Sequence, residues 1–125
     1  MTDFGALTHE ILGACIEVHR HLGPGLLESA YDVCLARELE VRGLRYARRP
    51  TIGLDYKGQH LACAFQPDFV VEDVVVVELK AVASLLRVHE AQLRTYVRLT
   101  GAEVGLLVNF HAIVLREGGI RRVRP

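Results

Sequence analysis

Asp68, Glu78 and Lys80 interrupt a stretch, Gln66 to Lys80, that is otherwise almost wholly Val, Phe and Leu apart from Glu72-Asp73. β-Branched density without strict alternation reads as two strands buried on both faces, with Glu72-Asp73 as the break between them. Register decides what the three charges can do. A two-residue turn at Glu72 and Asp73 sets Asp68 opposite Val77 and leaves Glu78 on the other side of the sheet. An odd loop, Glu72 to Val74, sets Val71 opposite Val75 and Asp68 opposite Glu78. The odd loop is the preferred reading, because it puts two carboxylates about 5 Å apart on one face, with Lys80 following two residues later on the same face.

Adjacent carboxylates on a low-dielectric sheet repel, so at neutral pH one is protonated unless a cation sits between them. A hard divalent ion such as Mg²⁺ suits two carboxylates, a backbone carbonyl and an open face for a phosphate. Lys80, beside such an ion, would orient or help deprotonate an attacking water, or stabilise negative charge developing on the phosphate. The chemistry implied is metal-assisted phosphodiester hydrolysis. The competing structural reading is that strand-end charges simply reach solvent, with Glu78 and Lys80 as a same-face ion pair.

The elements that must carry these groups follow from periodicity. Leu7, Ile11, Cys15, Val18 and Leu22 predict an amphipathic helix over roughly Ala6 to Leu22, stopped by Gly23-Pro24-Gly25. A second helix is expected from Leu26 to about Val41, with Leu27, Ala30, Tyr31, Cys34, Leu35 and Leu39 inward and Glu28 in the first turn, where exposed amides favour a carboxylate. Leu44 to Tyr56 reads as an extended strand bent at Pro50, turning at Lys57-Gly58 into a second strand, Gln59 to Val71, that carries Asp68. Pro67 cannot donate a ladder hydrogen bond, so that strand is bulged or unpaired beside Asp68. Val74 to Lys80 is the third strand. A helix from about Val88 to Thr100, closed by Gly101, leads to a parallel strand at Val104 to Phe110 through a right-handed crossover. Ala112 to Arg116 and Ile120 to Val123 are expected as a terminal hairpin. The result is one α/β domain over residues 1–125, a mixed β-sheet flanked by helices in the order ααβββαβββ.

Several of these segments together resemble a known family. Pro67-Asp68, nine residues, then Glu78-Leu79-Lys80 is similar to the signature of the PD-(D/E)xK nuclease superfamily. Upstream, Gly25-Leu26-Leu27-Glu28-Ser29-Ala30-Tyr31 resembles the motif that names the GxxExxY proteins, small domains placed in that superfamily. The likeness runs from about Leu7 to Val123 and includes His19, Tyr56-Lys57-Gly58, His89 to Tyr96 and Gly105 to Phe110. It implies a restriction-endonuclease-like fold. It also implies that Glu28 joins Asp68, Glu78 and the carbonyl of Leu79 around Mg²⁺ or Mn²⁺, with Lys80 assisting the water. Gln92-x-x-x-Tyr96 resembles a motif that follows the catalytic strand in the nuclease domains of recombination helicases, which implies that Gln92 positions substrate or active-site groups. His19 reads instead as a helix-end histidine favoured by the dipole, and Tyr31 as packing.

Composition bounds the rest. Half the residues are apolar and 15 basic side chains balance 15 acidic ones, so whole-molecule attraction to nucleic acid is absent. The charge is uneven, however: Arg45, Arg48 and Arg49 form one basic group and Arg116, Arg121, Arg122 and Arg124 another, each able to hold a phosphate backbone or merely to protect a strand edge. Lys57 and Lys80 are the only lysines. Cys15, Cys34 and Cys63 are odd in number and widely spaced, which reads as buried reduced thiols and excludes a disulfide framework. No apolar run is long enough to span a membrane, Met1 to Gly5 lacks signal-peptide character, and a cytoplasmic location is expected. The leading function is a nuclease acting on nucleic acid, DNA before RNA, as a homodimer or within a complex. The other readings are a non-catalytic nuclease-fold module in a repair or defence complex and a hydrolase of some other phosphate ester.

Overall fold

Apolar stripes at helical spacing place α1 (Phe4–Leu22) and α2 (Glu28–Val41) on one face of a sheet through Ile11, Cys15, Val18, Tyr31, Leu35 and Leu39, all buried. The computed structural model describes residues 4–125, so the reading of Met1 to Gly5 lies partly outside the described residues. Leu27 departs from expectation. It precedes the first turn of α2 and stands 79% exposed, while Asp32 takes an inward place on that helix.

The strands are β1 (Tyr46–Arg48), β2 (Ile52–Tyr56), β3 (Gln59–Phe65), β4 (Phe69–Val71), β5 (Val75–Lys80), β6 (Val104–Asn109) and β7 (Ile120–Val123). Five of them form one sheet in the order β1-β4-β5-β6-β7, with β5 and β6 parallel and the other pairs antiparallel. α3 (Arg87–Thr100) covers the second face through Leu93 and Val97, packed with Val76, Leu107 and Val123. It lies so close at Gly105 that a Cβ there would stand 2.7 Å from side-chain atoms of both Leu93 and Val97. The mixed sheet flanked by helices is as expected, and no described helix is long and apolar enough to cross a membrane.

Two details differ, for local reasons. The segments read as long strands, Leu44 to Tyr56 and Gln59 to Val71, are each interrupted at a proline. Pro50 and Pro67 lack an N–H and restrict the residue before them, so β2 and β3 leave the main sheet as a separate, largely exposed two-stranded arm turning at Lys57-Gly58. Residues 112–116 are turns instead of a strand. Their hydrogen bonds are local, Glu117 N–H to Val114 and Gly119 N–H to Leu115, and Leu115 is drawn into the core while β7 pairs directly with β6.

The β4–β5 connection is the odd loop. Val71 faces Val75, Val70 faces Val76 and Phe69 faces Val77, and Glu72 and Asp73 take positive φ of 53° and 58° to close it. That register carries Asp68 opposite Glu78 at the open end.

Candidate active site

Beyond Phe69 the chain stops pairing with β5, because Pro67 and the bend at Asp68 turn it away. The amides exposed by this divergence are taken up by side chains. Asp68 N–H donates to Glu78 Oε1 at 2.9 Å, and Leu79 N–H donates to Asp68 Oδ2 at 2.8 Å. Each carboxylate is therefore pinned by the opposing strand's backbone. Glu78 alternates with Val77 and Leu79, which face α1 and α2, so it points with Val76 toward the α3 side, and Lys80 follows it there.

The electrostatics match a crowded acidic pair. Burial raises the Asp68 carboxyl above its ordinary range, with the charges of Asp32 and Glu28 adding to the rise, although the Leu79 N–H opposes it. Glu78, 7% exposed, is pushed up to about 8, first by burial and then by the charge of Asp68, while Lys80 pulls the other way. Tyr96 on α3 feels the same field: burial first, then the charges of Glu78 and Asp68, raise its hydroxyl pKa, and its ring stacks on Phe65 at 4.2 Å between centroids. At neutral pH the pair holds a proton or needs a cation.

Glu28 approaches from the helix side. Its Oε1 accepts the N–H of Ala81 at 3.3 Å, one residue beyond Lys80, and it shares a cavity of about 310 Å³ with Asp32, Arg48, Arg49, Asp68 and Leu79. Glu78 does not line that cavity. Asp68 thus sits in the gap between two neighbourhoods, Glu28 on one face of the sheet and Glu78 with Lys80 on the other. No three Asp, Glu, His or Cys side chains converge as a metal-binding group among the described residues. The chemistry of the donor set nevertheless fits a hard divalent ion, since it offers a buried, mutually repelling carboxylate pair, a third carboxylate at the same strand end and the Leu79 backbone. The Leu79 carbonyl points to the same edge as its N–H, and hence toward Asp68.

The remaining expected residues sort clearly. Lys80 forms no ion pair among the described residues. Gln92 is exposed on α3 and makes no hydrogen bond to the carboxylates, whereas Tyr96, one turn on, reaches their field. His89 Nδ1 accepts the N–H of Leu86 at 3.0 Å and caps α3. His19 is buried against the carbonyl of Ala112 at 2.7 Å. Tyr31 packs, as expected: its ring stacks on Phe110, and its hydroxyl donates to the Gly23 carbonyl at 2.6 Å and accepts the Leu26 N–H at 3.1 Å. Of the cysteines only Cys15 is fully buried; Cys34 is half-buried, and Cys63, on the outlying β3, is exposed, against the expectation of three buried thiols.

Two participants escaped sequence reasoning. Asp32 is 5% exposed and binds both Arg48 and Arg49, and the Asn109 side chain grips the N–H and carbonyl of Val82 to fix the chain just after Lys80. Asp32 left a usable signal, an acid four residues after Glu28 in line with Leu35 and Leu39 on the inward stripe.

Neither a curated protein nor a solved structure matches the chain. A family model does: that of the PD-(D/E)XK nuclease superfamily matches residues 5–123, a span that takes in Glu28, the Asp68–Glu78 clasp and Lys80. Nucleases of that superfamily generally use divalent metal ions. With nearly the whole length matched, the chain belongs to the PD-(D/E)XK nuclease superfamily.

Proposed function

We propose that this protein is a Mg²⁺- or Mn²⁺-dependent nuclease of the GxxExxY type, hydrolysing phosphodiester bonds of nucleic acid, DNA before RNA. The observation that carries the reading is the reciprocal clasp, in which two buried carboxylates are held side by side by Asp68 N–H and Leu79 N–H with Lys80 next on the strand. A structural role needs no such repulsion in a core.

Asp68, Glu78, Glu28 and the Leu79 carbonyl would hold the metal, which when bound supplies Lewis-acid stabilisation of charge on the phosphate and lowers the pKa of water. The chain's own part is positioning and proton control. Asp68 and Glu78 cannot swing, because each is tied to a backbone amide, so the site is organised before substrate arrives. Lys80 sets positive charge beside Glu78, where it orients a water and offsets negative charge developing on the phosphate under attack. Gln92 and Tyr96, on the helix covering that face, order the water or the substrate. Arg87, Arg94 and Arg98 on α3 make no salt bridge among the described residues, Arg121 lies on the side of β7 that faces α3 with Val123, and Arg94 Nε donates to the Arg124 carbonyl, so this side offers basic groups suited to a phosphate backbone on an otherwise neutral chain. Three unpaired cysteines support a reducing, cytoplasmic setting. A homodimer or a larger complex is the assembly this reading carries.

A second reading, a non-catalytic nuclease-fold module, is favoured by one observation: Glu28 and Glu78 do not converge on a common point with Asp68. Cleavage of single- and double-stranded DNA and RNA with Mn²⁺ separates the two, comparing wild type with Lys80→Ala. Cutting that Lys80→Ala lowers a hundredfold or more supports the nuclease; no cutting of any substrate, with no metal heat in calorimetry, leaves the module.

A further inference from the structure

We propose that Arg48 and Arg49, clasped by Asp32, form a phosphate-binding subsite that holds the nucleic-acid backbone beside the cleavage position. The inference rests on the nuclease reading for its substrate, but neither the arginine contacts nor the test requires a bound metal.

The first observation is placement. Both arginines line the cavity of about 310 Å³ that also contains Asp68 and Leu79. That volume lies at the small end of ligand sites, roughly 300–1,000 Å³, enough for part of a nucleotide and not for a length of polymer. The second is asymmetry of burial. The Asp32 side chain is 8% exposed, whereas those of Arg48 and Arg49 are 34% and 49% exposed. Arg48 Nε donates to Asp32 Oδ1 at 2.6 Å and Arg49 Nη1 donates to Oδ2 at 2.9 Å. One carboxylate thus aligns two guanidinium groups and neutralises only one of them. Each guanidinium has five N–H donors, so unused donors remain at an open cavity wall, and the positive charge that Asp32 leaves there faces Glu28 and Asp68 across the same cavity, the two carboxylates that a bound cation would neutralise.

The third is backbone strain. Arg49 has φ of 49°, a left-handed conformation that is strained for a non-glycine residue and that gathers at functional sites. It is held there by its N–H donating to the Asp68 carbonyl at 3.0 Å and its own carbonyl accepting from Gln66 Nε2 at 3.2 Å. The backbone of the arginine is tied to the very residue whose carboxylate opens the site. An arginine that merely protects a sheet edge requires neither a buried acid nor a strained turn. An ion pair whose arginines are this open to solvent also adds little stability. Arginine forks held in place suit one anion class above others, the two free oxygens of a phosphodiester.

The test uses metal-free binding, so that it does not depend on catalysis. Fluorescein-labelled single-stranded and duplex DNA oligonucleotides are titrated by anisotropy in EDTA over a series of KCl concentrations. The proteins are wild type, Arg49→Gln, Arg48→Gln, Arg49→Lys and Arg45→Ala, each checked by thermal melting. Arg45 removes the same charge from the same segment, but pairs with Glu72 and Asp73 at the far end of the strand. The expected result is a tenfold or greater loss of affinity in Arg49→Gln and Arg48→Gln, with the slope of log Kd against log salt lowered by about one. Arg49→Lys keeps most of the slope with weaker binding, and Arg45→Ala matches wild type. Unchanged affinity and slope in folded Arg48→Gln and Arg49→Gln overturn the proposal, as does a wild type that binds neither oligonucleotide at low salt. The outcomes also separate the two readings: arginine-dependent binding without cleavage removes the nuclease and keeps the subsite, while cleavage indifferent to both arginines does the reverse.

Discussion

Glu78→Gln removes a charge while keeping the shape of the clasp, since a glutamine oxygen still accepts the Asp68 N–H. In the folded protein the Glu78 carboxyl is pushed up to about 8 from an ordinary 4.5, by burial and then by Asp68. The folded state therefore binds this proton more tightly than the unfolded chain. Its contribution to stability is fully present below about pH 4.5 and is lost as pH rises through about 8. At about 1.4 kcal/mol for each tenfold change in proton affinity the ceiling is about 5 kcal/mol, and relaxation of the site with help from Lys80 lowers this to about 2–3 kcal/mol. For a domain of this size each kcal/mol moves the melting point by about 3–4 °C, so the difference between variant and wild type should widen by about 6–12 °C between pH 5.5 and pH 8.5. Thermal melts of both proteins in EDTA measure it directly, and subtracting one from the other cancels groups that titrate alike in both. Mn²⁺ added at pH 8.5 should raise the wild type and leave Glu78→Gln nearly unmoved. A difference that stays flat with pH would mean that the two carboxylates are not in conflict, and the argument for a cation between them would fall.

Other consequences are as direct. Tyr31→Phe deletes the bonds to Gly23 and Leu26 but keeps the stack on Phe110, so it should cost about 1–3 kcal/mol in urea unfolding and leave any cleavage rate per folded molecule unchanged. Gly105→Ala drives a methyl group into Leu93 and Val97 and should lose about 1–3 kcal/mol by the same measurement, loosening α3 from the sheet. In a thiol-labelling time course Cys63 should react within the mixing period, while Cys15, buried and pushed up to about 12, should react only as the protein unfolds.

Much of this architecture was readable because its causes are local. Helical spacing of Ile11, Cys15 and Val18, and the glycines that end α1 and α3, act within a turn or two of chain. The β4–β5 register was readable for the same reason, since only an odd loop lets Asp68 and Glu78 share a side, and parity survives any later packing. The prolines at 50 and 67 were visible as interruptions, but not their consequence. Whether a strand bulges or leaves the sheet altogether depends on what else competes for its edge, and here β1 and β5 hold β4 while β2 and β3 have only each other.

Order along the chain was enough for the superfamily motifs, the alternation of helices with a mixed sheet, and the pairing of two acids across a hairpin, because motif spacing, periodicity and parity are properties of neighbours along the chain. Packing of the layers was needed to show that Glu28 reaches the strand end from the opposite face to Glu78, that Gln92 stays in solvent while Tyr96 turns toward the acids, and that Asp32 is the residue holding Arg48 and Arg49. Those pairings span 16 residues or more, apart from the helix-face choice between Gln92 and Tyr96. They are set by how layers cross when apolar faces are buried, a global outcome to which each residue contributes only a part.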